Sequence, residues 1–439
     1  MSPPAPSPRR RARPDASSLV VVMVLIAVLS MVCASVLETV TQEYLMSRNT
    51  LAWNQALYTA ESGIERGWNE MNKLTGVNTA TDFMATTNGW VYLGTNTWAR
   101  TNRALIPLMG VESNTVYSVW VRTNWPAGSV TITATGTAYA PRTGRAITRN
   151  VEVVLAPTTP FKWAMLAKGL IDFNGNAAYV DSFNSTNGGY VSTSRRAHGN
   201  IGTDGSLIDA AGLDLYGSAQ TGPGGVVTTG PGFLQFQPTA PDTGTNTISD
   251  GLRVSIPDSK LPSGIASLSS LGSINNNYTI TAAGLTQVKA TEVSLNGGKT
   301  LTISGSGKVQ IYLTGQLGIG GSSSIILAPS SPGALSVEFY VGGAVDLNGN
   351  GIVNPGSAPN LAIYGLSTCS AVGINGTADF MGAIYAPQAT FTLAGGARVD
   401  GAIVGNNINA TGTLDFHYDE ALSNFGNVTY YSLTRWREY

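Results

Sequence analysis

At 439 residues the chain is longer than one ordinary domain, and an anchor with two folded regions is the expectation. Charged residues make up only 12%, about half the globular norm, and a net charge of −1 with basic residues clustered at the N-terminus excludes a nucleic-acid surface. Cys33 lies in an apolar segment far from Cys369, and the only histidines are His198 and His417, so the chain has no material for a disulfide framework, zinc site or haem ligation.

Residues 1–16 read as a basic leader in which Arg9, Arg10, Arg11 and Arg13 precede the uncharged run Ser17 to Leu37. As a helix that run is roughly 30 Å long, enough to cross a bilayer. Its anchor is Leu19, Val20, Val21, Val22, Met23, Val24, Leu25, Ile26, Ala27, Val28 and Leu29. The arginines place the N-terminus in the cytoplasm and everything after Glu38 outside. A cleavable signal cut after Ala34 is the competing reading. The run exceeds the usual signal core of about 7 to 15 residues, and helical patterning continues past it. Leu57, Ala60, Ile64, Trp68 and Met71 recur at spacings of three and four, marking an apolar stripe that packs on a sheet. Anchor and packing helix form one rod over 17–74.

Over 75–157 a loop at 76–88 is followed by alternating runs at Trp90 to Leu93, Val116 to Arg122, Val130 to Tyr139 and Ala146 to Leu155. Turn signals at Ala127-Gly128 and Pro141 to Gly144 make these an antiparallel meander covering the helix stripe, and Pro157 and Pro160 mark its boundary.

Over 158–422 short strands close on Gly or Asn-Gly, as in LIDFNGNAAYV (170–180), AVDLNGNGIV (344–353) and ATFTLAGGARVDGAIVG (389–405). Inward apolar residues alternating with polar ones, with small residues at the corners, predict a right-handed parallel β-helix; a β-sandwich is the alternative. The tail 423–439 is expected to be a last strand or a cap on the open end of the coils. The fold class is therefore mainly β with one long N-terminal helix.

The run SSLVVVMVLIAVLSMVCASVL followed by QALYTAESGIERG at 55–67 resembles the N-terminus of type IV minor pilins and pseudopilins of the PilX and GspK kind. The resemblance implies that a prepilin peptidase removes the leader between Ala16 and Ser17, and that the helix then packs among other pilin or pseudopilin subunits. Ala16 stands where the family mostly has Gly, and Val21 where major pilins carry Glu; the second departure implies a minor or tip subunit. FKWAMLAKGLIDFNGN at 161–176 and GAIYAP, GAIVG and FHYDEAL within 382–422 resemble an uncharacterised β-helical domain found behind such N-termini, which implies no known activity.

The competing function is a membrane-tethered β-helix polysaccharide lyase or hydrolase. Glycoside hydrolysis needs two carboxylates across one cleft, and Asp172, Asp181, Asp204, Asp209 and Asp214 show no paired spacing, reading instead as turn residues. His198, beside Arg195 and Arg196, is the best local acid/base cluster, against a reading as a solvated loop. His417, among Tyr418, Asp419 and Glu420, reads as a capping hydrogen-bond network. Asp346, Asn348 and Asn350 match the first half of an EF-hand loop, but position twelve is Ser357, so only a looser calcium site stays open there, against Asn-Gly corners. No catalytic residue, resident metal or cofactor is assigned.

The expectation is a non-enzymatic minor pilin-like or pseudopilin-like surface protein of a type IV pilus or type II secretion type system. It acts in filament assembly, tip display or adhesion. It sits in the inner membrane as a single-pass protein, its C-terminal domain periplasmic or extracellular, and its partners are pilin subunits, prepilin peptidase and surface glycans.

Overall fold

A computed structural model describes residues 16–73, 88–104, 115–124, 128–139, 145–174, 177–228, 235–236, 247–252, 254, 256–376, 379–426 and 430–439. The fold is mainly β with one long N-terminal helix. Residues 1–15 of the leader, and the expected loop up to residue 87, lie outside the described residues.

Helix α1 runs from Ala16 to Lys73, 58 residues without a proline. It is long and apolar enough to cross a membrane, and its most apolar stretch is not buried against the rest of the chain. The threonines that would weaken it return their hydroxyls to carbonyls four residues back, at Thr39, Thr41, Thr50 and Thr59.

The C-terminal half of α1 lies on a six-stranded antiparallel sheet: β1 (Val91–Gly94), β2 (Thr97–Ala104), β3 (Thr115–Asn124), β4 (Ser129–Tyr139), β5 (Ala146–Thr158) and, at the far edge, the C-terminal strand Tyr430–Glu438. Alternation sets the face: Val119, Val121, Val130, Ile132, Ala134, Val151, Val153 and Leu155 are buried, with threonines on the other side of β4. Of the expected helix stripe, Ala60, Ile64 and Met71 are buried in this core, and Leu57 and Trp68 pack on its rim.

The contact is close because small residues make it. Ala56, Ala60, Gly63 and Gly67 follow one another at spacings of four, three and four, so they share a side of α1. A Cβ on Gly67 would stand 2.9 Å from Ile132 Cγ2, and one on Gly136 of β4 would overlap the α1 backbone at Ala56 and Ala60.

β2 was not among the expected strands, since TWARTNRA carries no apolar alternation. The larger correction concerns the tail. It does not close the coils: Tyr430 to Glu438 pairs antiparallel with β5, from Tyr430 opposite Thr158 to Glu438 opposite Val151. Trp68 Nε1–H donates to the Tyr431 carbonyl at 2.7 Å, tying this strand to α1. Pro157 sits inside β5 rather than after it, beyond the last β4 pair at Leu155, so its missing N–H interrupts no bond to β4. The intervening residues 161–426 are thus an insertion between the last two strands of one sheet, β5 and the C-terminal edge strand paired with it.

That insertion carries a 22-stranded sheet whose named strand pairs are all parallel. Successive rungs stack like residues on like: Val293, Leu317, Val345, Val372 and Phe391 stand in register, as do Ile311, Phe339, Ile363 and Ile384. All of these are buried, giving one continuous apolar core. Glycine occupies corners no Cβ could enter without strain, for example Gly307 at φ +110°, over the Gly284 carbonyl.

Chain order and stacking order differ. The rungs from Ser273 to Asp419 follow one another, but the last of them, Asp379–Ala410 and Thr413–Asp419, pair next with the first strands of the insertion, Met165–Ala167, Ile171–Asp172 and Ala177–Phe183. Strands Ile201–Thr203, Leu207–Ile208 and Leu213–Leu215 stack beyond those. The strands at 165–249 thus form a first block and those at 273–419 a second; between them the chain returns along the side of the stack, where Tyr385 donates to the Pro257 carbonyl at 2.5 Å and Lys289 to the Ala266 carbonyl at 2.7 Å.

Candidate functional site

Both histidines lie at the junction of the two blocks. Val399, Phe416, Val180 and Leu215 stack inward through four rungs. One residue further along each strand, Asp400, His417 and Asp181 stand in register on the opposite face, where a sheet residue ordinarily meets water. Yet their exposures are only 6%, 1% and 0%.

The cover is the loop 184–199. Its return is fixed by backbone bonds in both directions between Ser182 and Arg196. Tyr190 lies flat on the His417 ring, centroids 3.5 Å apart, and donates its hydroxyl to Asp181 Oδ2 at 2.8 Å. Arg195 places Nε 3.5 Å from the same oxygen, with its guanidinium over the rings of Tyr179 and Tyr216. Glu420 straps the loop from the far end, accepting from Ser182 Oγ and meeting His198 Nδ1 at 2.8 Å and Arg196 Nε at 3.1 Å.

His417 is held on both nitrogens. Nδ1 is 2.6 Å from Asp181 Oδ1; Nε2 is 3.1 Å from Asp415 Oδ1, an ion-pair distance off the line of a good hydrogen bond. Burial opposes the charged ring, but the bonds and charges of the two aspartates outweigh it and raise its pKa to about 9. The ring is therefore an imidazolium at neutral pH. The His417 contact in turn holds the Asp415 carboxyl below the usual range, while burial raises Asp400 despite its pair with Arg398 at 3.0 Å. Burial, then Asp181, pushes the Tyr190 phenol up to about 12.

An imidazolium clamped between carboxylates has no free lone pair for accepting a proton, so the chemistry of this cluster is cohesion: it ties the last rung of one block, the first of the other and the covering loop. The Arg195, Arg196 and His198 trio belongs to the same assembly, with His198 bound to Glu420. Tyr418 donates to the Phe161 carbonyl at 2.7 Å, and Asp419 Oδ1 accepts from the N–H groups of Ser185 and Ala421. FHYDEAL thus serves as a hydrogen-bond network at the block junction.

Of the five aspartates weighed as carboxylate pairs, only Asp181 enters the cluster. Asp172 faces Asp209, and burial followed by that charge raises its carboxyl. Asp209 takes a left-handed φ of 52°, Asp204 accepts the Val254 N–H at 3.1 Å, and Asp214 stands in register beside Tyr179. At the EF-hand-like loop, Asp346 Oδ1 accepts from Asn348 Nδ2 at 2.9 Å, and Asn350 donates to the Ser322 carbonyl. Gly349 and Gly351 turn there at φ of 64° and 62°, so these side chains lock a corner. No group of three or more His, Cys, Asp or Glu side chains arranged for a metal occurs among the described residues.

Sequence reasoning did not find Asp400, Asp415, Tyr190, Tyr179 or Tyr216. Nor did it find a second outward ladder, in which Tyr312, Tyr340, Tyr364 and Tyr385 stand in register on successive rungs beside Glu338, which accepts from Gln310 and Tyr340 and pairs with Lys308 at 2.7 Å. That ladder had a signal, an apolar residue before each tyrosine: Ile311, Phe339, Ile363 and Ile384.

Residues 272–425 match a family model described as a domain of unknown function, DUF7305. The match begins at the first rung of the second block and ends with the strap that carries Glu420, so the rungs at 165–249, stacked on its end, lie outside it. No curated protein matches the chain.

Proposed function

We propose that the chain is a minor pilin-like or pseudopilin-like surface protein of a type IV pilus or type II secretion type system, anchored by α1 in the inner membrane with its N-terminus cytoplasmic. The stack 161–426 is a right-handed parallel β-helix displayed beyond the membrane from the edge of a pilin-like sheet. Its part is structural, in filament assembly, tip display or adhesion, and no catalytic step is assigned to it.

One observation carries this reading. Exposed large apolar side chains on α1 run from Leu19 to Tyr58, about 40 residues or roughly 60 Å of helix, twice what a bilayer core covers. From the end of the span onward, Leu37, Val40, Tyr44, Leu51 and Tyr58 are spaced by three, four and seven, so they line one side, opposite the Ala52, Ala56 and Ala60 side that meets the sheet. Apolar surface that neither lipid nor the chain's own sheet covers is what a helix packed among other helices needs. The locked His417 weighs against the tethered-enzyme alternative.

Intact mass of the mature protein tests the reading. It predicts a chain starting at Ser17, with Ser17 carrying a methyl group. A start at Ser35 would make the protein an ordinary secreted one.

A further inference from the structure

A cleft of about 610 Å³ opens where the chain passes from the sheet to the stack, within the range of roughly 300 to 1,000 Å³ usual for small-molecule sites. Trp68 of α1 and Thr158 of β5 wall one side; Trp163, Asn200, Gln220 and Asp250 wall the other.

Both indoles are fixed by the protein before any ligand arrives. Trp68 is held through Nε1 on the Tyr431 carbonyl, and Trp163 rests on Gly202, where an added Cβ would stand 3.0 Å from ring atom Cε3. Asn200 is oriented by accepting the Ser218 N–H at 2.9 Å on Oδ1, which leaves its Nδ2 as a donor. Thr158 is 7% exposed, and its hydroxyl has no hydrogen-bond partner among the described residues. Lys162 and Asp250 both line the cleft, so its lining carries no net charge to select a phosphate or a carboxylate.

Rigid aromatic faces suit the C–H faces of a pyranose ring, and amide and carboxylate groups suit its hydroxyls. We infer that this cleft is a saccharide-binding site whose ligand is a short neutral oligosaccharide. It deepens the display reading above and rests on it for placing the cleft outside the membrane. A bound sugar touches both the sheet and the inserted stack, so occupancy also fixes the angle between them.

The test uses the full chain in detergent micelles, titrated by calorimetry with chitobiose, cellobiose, maltose and lactose. At least one is expected to bind, and to bind about tenfold more weakly to Gln220→Ala and Asp250→Ala, changes at a half-buried and an exposed side chain of the cleft wall expected to leave the melting temperature unaltered. Absence of binding to all four sugars, or equal affinity in wild type and both variants, overturns the inference. The mature N-terminus, read by mass on the same preparation, reports separately on the display reading.

Discussion

His417 Nδ1 lies 2.6 Å from Asp181 Oδ1 across 236 residues of sequence, and this contact joins the last rung of the second block to a strand laid down near the start of the first. Removing one partner of a buried pair leaves the other charged and unsatisfied. Asp181→Asn is therefore expected to destabilise the stack by about 3 to 5 kcal/mol. Urea unfolding of the purified chain measures this, and a change within error would show the pair to be incidental.

The same contact gives the protein an alkaline limit. His417 titrates at about 9 in the folded chain against about 6.5 for an ordinary histidine, so its contribution is full below the unfolded value and is lost as pH rises through the folded one. Melting temperature should hold to about pH 6.5 and then fall toward pH 9, with roughly 3 kcal/mol at stake. Of the other groups facing the ring, Asp415 is held below the usual carboxylate range by its His417 contact, Tyr190 is pushed up to about 12, and Arg195 and Arg398 are raised above an already high value, so these do not share the window; burial raises Asp400. His417→Gln should flatten the slope between pH 6.5 and 9; an unchanged slope would place its cause elsewhere.

Helix and sheet meet without room to spare. Gly136→Ala forces a methyl group into the α1 backbone at Ala56 and Ala60, and neither strand nor helix has a flexible side chain there to move aside. A loss of about 1 to 3 kcal/mol is expected from overpacking alone. Limited proteolysis should release α1 from the sheet in the variant and leave the stack intact.

Because Thr158 and Tyr430 stand opposite each other on neighbouring antiparallel strands, the insertion can be removed at its base. A chain in which 160–428 is replaced by an Asn-Gly turn should keep α1 and the six-stranded sheet folded, with the strong antiparallel circular dichroism of the parent module. If that chain is unfolded or aggregates while the wild type does not, the sheet depends on the stack and the insertion description fails.

Local pattern was enough for α1, with its apolar run at 17–37 and its stripe from Leu57 to Met71, and for the strands over 115–158, whose alternation matches a sheet with one buried face. It was not enough for the site. Asp181 reads as a turn aspartate and His417 as a cap because each was judged with its own neighbours, and no spacing indicates that the rung carrying 417 lies against the rung carrying 181. That contact follows from stacking the first block on the end of the second, which is a long-range choice. The tail was misplaced for a related reason: TRWRE reads equally well as a cap or an edge strand, and only the closeness of the insertion's ends decides between them.

The central claim, that the exposed stripe of α1 packs among other subunit helices, is tested most directly by a photocrosslinking residue placed at Leu51 in living cells. The prediction is a crosslinked product containing a second pilin-like helix, lost when Tyr44 and Tyr58 on the same side are changed to aspartate. A Leu51 adduct only to lipid, or none to protein while the chain remains in the membrane, would contradict it.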